Sequence, residues 1–205
     1  MKNFRLLIIF PLLVLFSSSI VAQPGETLIS HDFEASANGW VADGSVGNMD
    51  FVRISSPSPF SAQGNATTVW TTSPFNNYGN NDGAYVTSST VDMTLWTAMT
   101  FSIDIRYNTE ANYDGMNIYY STDDFSTMTL LGAVGSGTNW YNSTNTIDGI
   151  NDRFAEITSD PSGWSGDNSA WQTATIPIPA GIEGEPNVRF SVYFGSDGSW
   201  RDDGI

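Results

Sequence analysis

The stretch MTFSIDIRY, residues 99–107, constrains the fold most. Met99, Phe101, Ile103, Ile105 and Tyr107 alternate with Thr100, Ser102, Asp104 and Arg106. A period of two gives a β-strand one apolar and one polar face. After the turn-rich segment NTEANYDG the alternation resumes in MNIYYS, with Met116, Ile118 and Tyr120 on one face and Asn117, Tyr119 and Ser121 on the other. These residues predict two long neighbouring strands, joined by a carboxylate-rich bend, at the centre of a sheet.

Shorter patterns of the same kind recur at 27–33 (TLISHDF), 50–54 (DFVRI), 69–71, 84–88, 128–134 and 171–178. In VRFSVYF, Val188, Phe190, Val192 and Phe194 share one face. Residues 55–65 and the segment SPFNNYGNNDG at 73–83 are loops by composition, because Asn and Gly tolerate positive φ and Asn bonds its own backbone. Residues 135–170 show no clear period, which is long for a connection in a compact domain. Within them RFAEI at 153–157 suits a short helix or strand, and Trp140, Tyr141 and Trp164 suit pinning the segment to the sheet. Abundant Thr, Ser, Asn, Gly, Tyr and Trp, with hardly a run of helix formers, predict an all-β domain.

Residues 1–22 have the layout of a secretory signal peptide: Lys2 and Arg5, an apolar run from Leu6 to Phe16 broken by Pro11, then small residues ending at Ala22. The run falls short of the roughly 20 residues that span a bilayer, so membrane insertion is not expected. Residues 23–205 are then a single secreted, extracellular or cell-surface domain. Its 22 acidic residues against five arginines leave 17 negative charges. Nucleic acid is excluded as a partner, since a phosphate backbone needs a basic patch. No cysteine is present, so disulfides contribute nothing.

The inventory for catalysis is poor: no cysteine, no lysine beyond Lys2, a single histidine, His31, and no G-x-S-x-G, H-E-x-x-H or phosphate-cradling loop. Paired carboxylates serve glycoside hydrolysis, and Glu110 with Asp114, or Asp202 with Asp203, offer such pairs by composition. Acidic pairs in β-loops more often make solvated turns or hold cations. No catalytic residue is assigned. Of the aromatic residues, Trp70, Phe75, Tyr78, Tyr113, Tyr119, Trp140, Tyr141 and Trp200 include several in loops, where flat rings beside Asn and Asp suit ligand surfaces. Tyr78, Tyr113 and Trp140 are the ligand-binding candidates; the alternative for each is a place in the core.

Taken in order, HDFE and GW, GAYVTSSTVDMT, DIRYNTEANYDGMNIYYSTD, LLG, NWYN, GWSG, WQTATI, VRFSVYFGSDG and DDGI resemble MAM-like jelly-roll modules. The bacterial modules of secreted adhesins and peptidases, cleaved-adhesin domains among them, are the most similar. The resemblance spans nearly all of residues 23–205, and it departs from animal MAM domains in lacking cysteine. It implies an antiparallel β-sandwich of jelly-roll type whose final strand runs on from the Gly204-Ile205 pair, so the domain is expected to be truncated at its C-terminus. It also implies a structural calcium ion, which needs six to eight oxygens, near Glu34 and Asp50; the alternative is that Glu34 caps a turn. The function expected is a non-catalytic adhesion or recognition module that binds an extracellular glycan or protein beside further domains of the same chain. An accessory domain of a secreted hydrolase, a peptidase with its catalytic part beyond residue 205, is the alternative, and a spacer in a tandem array a third.

Overall fold

A computed structural model describes residues 26–55, 64, 66–144 and 146–205. The expected leader at 1–22 and most of the loop at 55–65 lie outside the described residues. Among the described residues the strands are β1 (Val41–Val46), β2 (Val52–Ser55), β3 (Thr68–Thr71), β4 (Gly83–Thr87), β5 (Thr100–Asn108), β6 (Gly115–Ser121), β7 (Thr129–Leu130), β8 (Asp167–Pro177) and β9 (Arg189–Gly195), with one short helix, α1 (Asp148–Arg153). All strand pairs are antiparallel.

The strands make a β-sandwich. One layer is a five-stranded sheet in the order β1-β4-β9-β6-β7. The other holds the pairs β2-β3 and β5-β8. Residues 204 and 205 link these pairs: Gly204 bridges Asn108 at the end of β5, and the Ile205 carbonyl accepts from the Thr72 amide and the Thr71 hydroxyl beside β3. The two layers share one core, in which Phe101, Ile103, Ile105 and Tyr107 of β5 meet Met116 and Ile118 of β6 and Phe190, Val192 and Phe194 of β9. Phe101 packs on Phe190 across the layers with ring centroids 4.9 Å apart.

The inward alternation of β5, β6 and β9 is as expected, but β5 and β6 are not neighbours in one sheet. β5 pairs with β8 and β6 with β9 and β7, so the bend between them carries the chain from one layer to the other. The outer face of β6 and β9 is also covered rather than wet. Tyr119 and Tyr193 are buried there under Ile147, Ile150, Phe154 and Ile157, from α1 and its flanks. Close approach requires glycine on both sides: a Cβ on Gly149 would lie 2.6 Å from Ser196 Cα, and one on Gly195 2.4 Å from the Gly149 carbonyl oxygen.

Two further expectations change. Residues 27–33 form no strand. Arg53 donates to the carbonyls of Phe33 and Glu34, and the Phe33 ring stands edge-on to Trp40 and Trp70, so side chains rather than a neighbouring strand anchor this segment. The helix falls at 148–153 and ends on Arg153, the first residue of the RFAEI segment. The pinning by Trp140, Tyr141 and Trp164 is as expected: their ring centroids lie 4.6–5.2 Å apart, and Trp164 bridges Met116 of β6.

Candidate functional site

Three irregular segments meet at one end of the sandwich: the Asn-rich loop at 73–82 before β4, the β5–β6 bend at 109–114 and the loop at 196–203 after β9. Because β4 and β9 are paired neighbours, the loop entering one and the loop leaving the other must emerge together. Hydrogen bonds then join them. The Asn81 amide donates to the Asp197 carbonyl at 2.6 Å, and the Asn80 and Asn77 side-chain amides donate to the Gly198 and Arg201 carbonyls at 2.9 and 2.8 Å. The Tyr78 amide donates to the Asp202 carbonyl at 3.1 Å.

Beneath this seam lies a buried polar node. The Tyr78 hydroxyl donates to Asp114 Oδ2 at 2.6 Å and accepts from the Glu110 amide at 3.1 Å. The Asp197 amide donates to Asp114 Oδ1 at 2.7 Å. One side chain, Asp114, thus fastens all three segments. Glu110, Asp114 and Asp197 each bring a carboxylate oxygen within 4.8 Å of the others, and Glu110 Oε2 is buried without a hydrogen-bond partner. Burial pushes the Asp114 carboxyl up to about 7, the Tyr78 hydroxyl and Asp197 amide oppose this, and the charges of Asp197 and Glu110 add to it. Glu110 is raised by burial, then by Asp197 and Asp202. Crowded, desolvated carboxylates of this kind favour a proton or a cation between them.

This node fits a divalent cation better than the pair expected from sequence. Glu34 already accepts from the Thr67 amide and hydroxyl and from the Thr68 amide, at 2.6–2.9 Å, as the expected cap would. Asp50 is exposed. Among the described residues neither belongs to a convergent group of three acidic ligands, whereas Glu110 offers an orphaned oxygen beside two further carboxylates. The node does not suit glycoside hydrolysis, because Asp114 is sealed under Tyr78 and reaches no substrate. His31 is engaged as well, its Nδ1 accepting from Trp40 Nε1 at 2.8 Å.

Above the node is an open cleft of about 540 Å³ lined by Asn76, Asn77, Asn80, Trp200 and Arg201. A neighbouring depression of about 490 Å³ continues past Phe75. Trp200 is 70% exposed and Phe75 65%. Trp200 has φ of 51°, and a bulky residue in the left-handed region is a conformational outlier that costs about 1–2 kcal/mol. Asp197 Oδ1 accepts from the Ser199 amide at 2.8 Å, which shapes the turn that projects the indole outward.

The ring residues chosen from sequence fare unequally. Tyr78 and Trp140 are 1% and 2% exposed, so neither presents a ring face to a ligand. Tyr78 packs on Phe194 and holds the node, and Trp140 lies in the core with its Nε1 bonded to the Leu131 carbonyl. Tyr113, in the cross-layer bend, is 47% exposed. In the sequence Trp200 is one of eight aromatic residues of which several lie in loops, and only its neighbour Arg201 marks it, because the fold alone brings it to the Asn-rich loop.

No protein-family model and no curated protein matches the chain. Among solved structures, carbohydrate-binding modules from the beta-sandwich super family, studied for the structural basis of their promiscuous specificity, are similar to it at 12% identity and a TM-score of 0.46, over 84% of this chain and 58% of that one. The chain therefore spans less than two thirds of that structure's length.

Proposed function

We propose that this domain is a non-catalytic glycan-binding module of a secreted or cell-surface protein, of the kind its resemblance to MAM-like modules implies, and that the cleft under Trp200 is the binding surface. The carrying observation is the exposed indole of Trp200 held beside the amides of Asn76, Asn77 and Asn80. A sugar ring presents an apolar face of C–H groups to an aromatic ring and hydroxyls at its rim to side-chain amides, which both donate and accept. Asn77 and Asn80 are fixed by their bonds to the opposite loop, so their remaining polar atoms are preorganised. A cation held by Glu110, Asp114 and Asp197 would neutralise the node and stiffen all three segments under the cleft.

Native affinity electrophoresis through gels containing a panel of soluble polysaccharides tests this reading. The wild type is expected to be retarded by at least one of them, and Trp200→Ala to migrate as in the polysaccharide-free gel. Free migration of the wild type in every gel, or equal retardation of the variant, overturns it. Melting in calcium against melting in chelator tests the cation: a higher Tm in calcium supports it and equal values remove it.

A further inference from the structure

We infer that the cleft under Trp200 selects glycans that carry a carboxylate, that is, uronate-containing polysaccharides, an inference that rests on the glycan-binding reading above. The argument begins with what the other arginines do. Arg53 donates to the carbonyls of Phe33 and Glu34, Arg153 pairs with Asp152, and Arg189 pairs with Asp124 and donates to the Ser88 carbonyl. Arg106 is engaged too. Among the described residues Arg201 alone has an exposed guanidinium without an acceptor.

In the chain Arg201 is followed by Asp202 and Asp203, but neither lines the cleft. The chain carries 22 acidic residues, yet the cleft lining of Asn76, Asn77, Asn80, Trp200 and Arg201 contains none. Asp202 makes no ion pair with Arg201, and the other acidic groups of these loops are hydrogen-bonded elsewhere. Asp82 accepts from the Asn48 and Gly79 amides, Asp197 from Ser199, and Asp203 from Asn108. A planar guanidinium matches a carboxylate through two parallel N–H donors. Its neighbour Trp200 supplies the stacking face for the same pyranose, and the Asn76 side chain, which has no hydrogen-bond partner among the described residues, is available to the ring hydroxyls. A neutral sugar offers Arg201 only single hydroxyl acceptors, without the two paired oxygens and the charge of a carboxylate.

The test uses native affinity electrophoresis with polygalacturonate and alginate, each beside its ester, which keeps the backbone and masks the carboxylates. The wild type is expected to bind a free acid about ten- to a hundredfold more tightly than the matching ester, the range for a hydrogen-bonded charged pair. Arg201→Gln should bring the acid down to the level of the ester, and Trp200→Ala should weaken both. Unchanged melting curves of the two exposed-site variants establish that they are folded. If esters or neutral polysaccharides bind as well as the acids, or Arg201→Gln retains the preference, carboxylate selection is overturned while glycan binding stands. If nothing in either panel retards the wild type, both fall.

Discussion

Trp140 and Trp200 lie in similar surroundings in the sequence, within irregular segments rich in Gly, Ser and short polar residues, yet they are 2% and 70% exposed. The difference is in what the segment around each is tied to. The 138–165 region is bonded into the sandwich through bridges from Thr138 to Thr175 and from Trp164 to Met116, and its three large rings fill the space between the layers. The 196–203 loop is tied by backbone carbonyls to the tip of a neighbouring loop, and while Ser196 and Asp197 turn inward, Trp200 at its tip points to solvent. For these two tryptophans burial follows the partner of the segment: the one whose segment bridges the sheet lies in the core, and the one at the tip of a loop bonded to another loop lies at the surface.

The largest effect that this contrast predicts is at Trp164, which is fully buried against Trp140 and Tyr141. Trp164→Ala should lower stability by about 3–5 kcal/mol in chemical denaturation, the usual cost of emptying an aromatic core site. A loss under 1 kcal/mol would show that the region is not part of the core. Next comes Asp114→Ala, which leaves the Tyr78 hydroxyl and the Asp197 amide without their acceptor and should cost about 1–3 kcal/mol.

The same carboxyl gives a pH dependence. With its pKa raised to about 7 from an ordinary 3.8, folded Asp114 keeps a proton that the unfolded chain has released. In chelator, stability should therefore fall as pH rises from about 4 to about 7 and level off above, and Asp114→Asn should flatten that slope. A Tm that rises through this window would contradict the burial of the node. The smallest effect on stability is at the cleft itself: Trp200→Ala and Arg201→Gln should each stay within about 0.5 kcal/mol of wild type, as for exposed sites generally.

Much of the layered fold was legible in the sequence, because β5, β6 and β9 keep a strict period of two over seven to nine residues. Strand partnership was not. NTEANYDG looks like a hairpin turn, but local composition does not specify whether a bend returns to its own sheet or crosses to the facing one. β1 escaped notice for another reason. VADGSV holds Asp43 and Gly44, poor strand formers, but it pairs with β4, and the bare Gly44 leaves room for Tyr85 of β4, whose ring a Cβ there would meet at 2.4 Å.

The site was less legible than the fold. Glu110 and Asp114 stood out as a pair, but Asp197, 83 residues after Asp114, joins them only through the pairing of β6 with β9. Tyr78 was singled out for the right neighbourhood and the wrong role, since a ring beside Asn and Gly in sequence says nothing of whether its hydroxyl faces a buried carboxylate.

The most direct measurement follows the indole N–H signals of Trp200 and Trp140 in the ¹⁵N-labelled protein during titration with neutral and uronate trisaccharides. The account predicts a saturable shift of Trp200 together with the amides of Asn76, Asn77 and Asn80, while Trp140 stays fixed. A stationary Trp200, or shifts centred away from these loops, would contradict it.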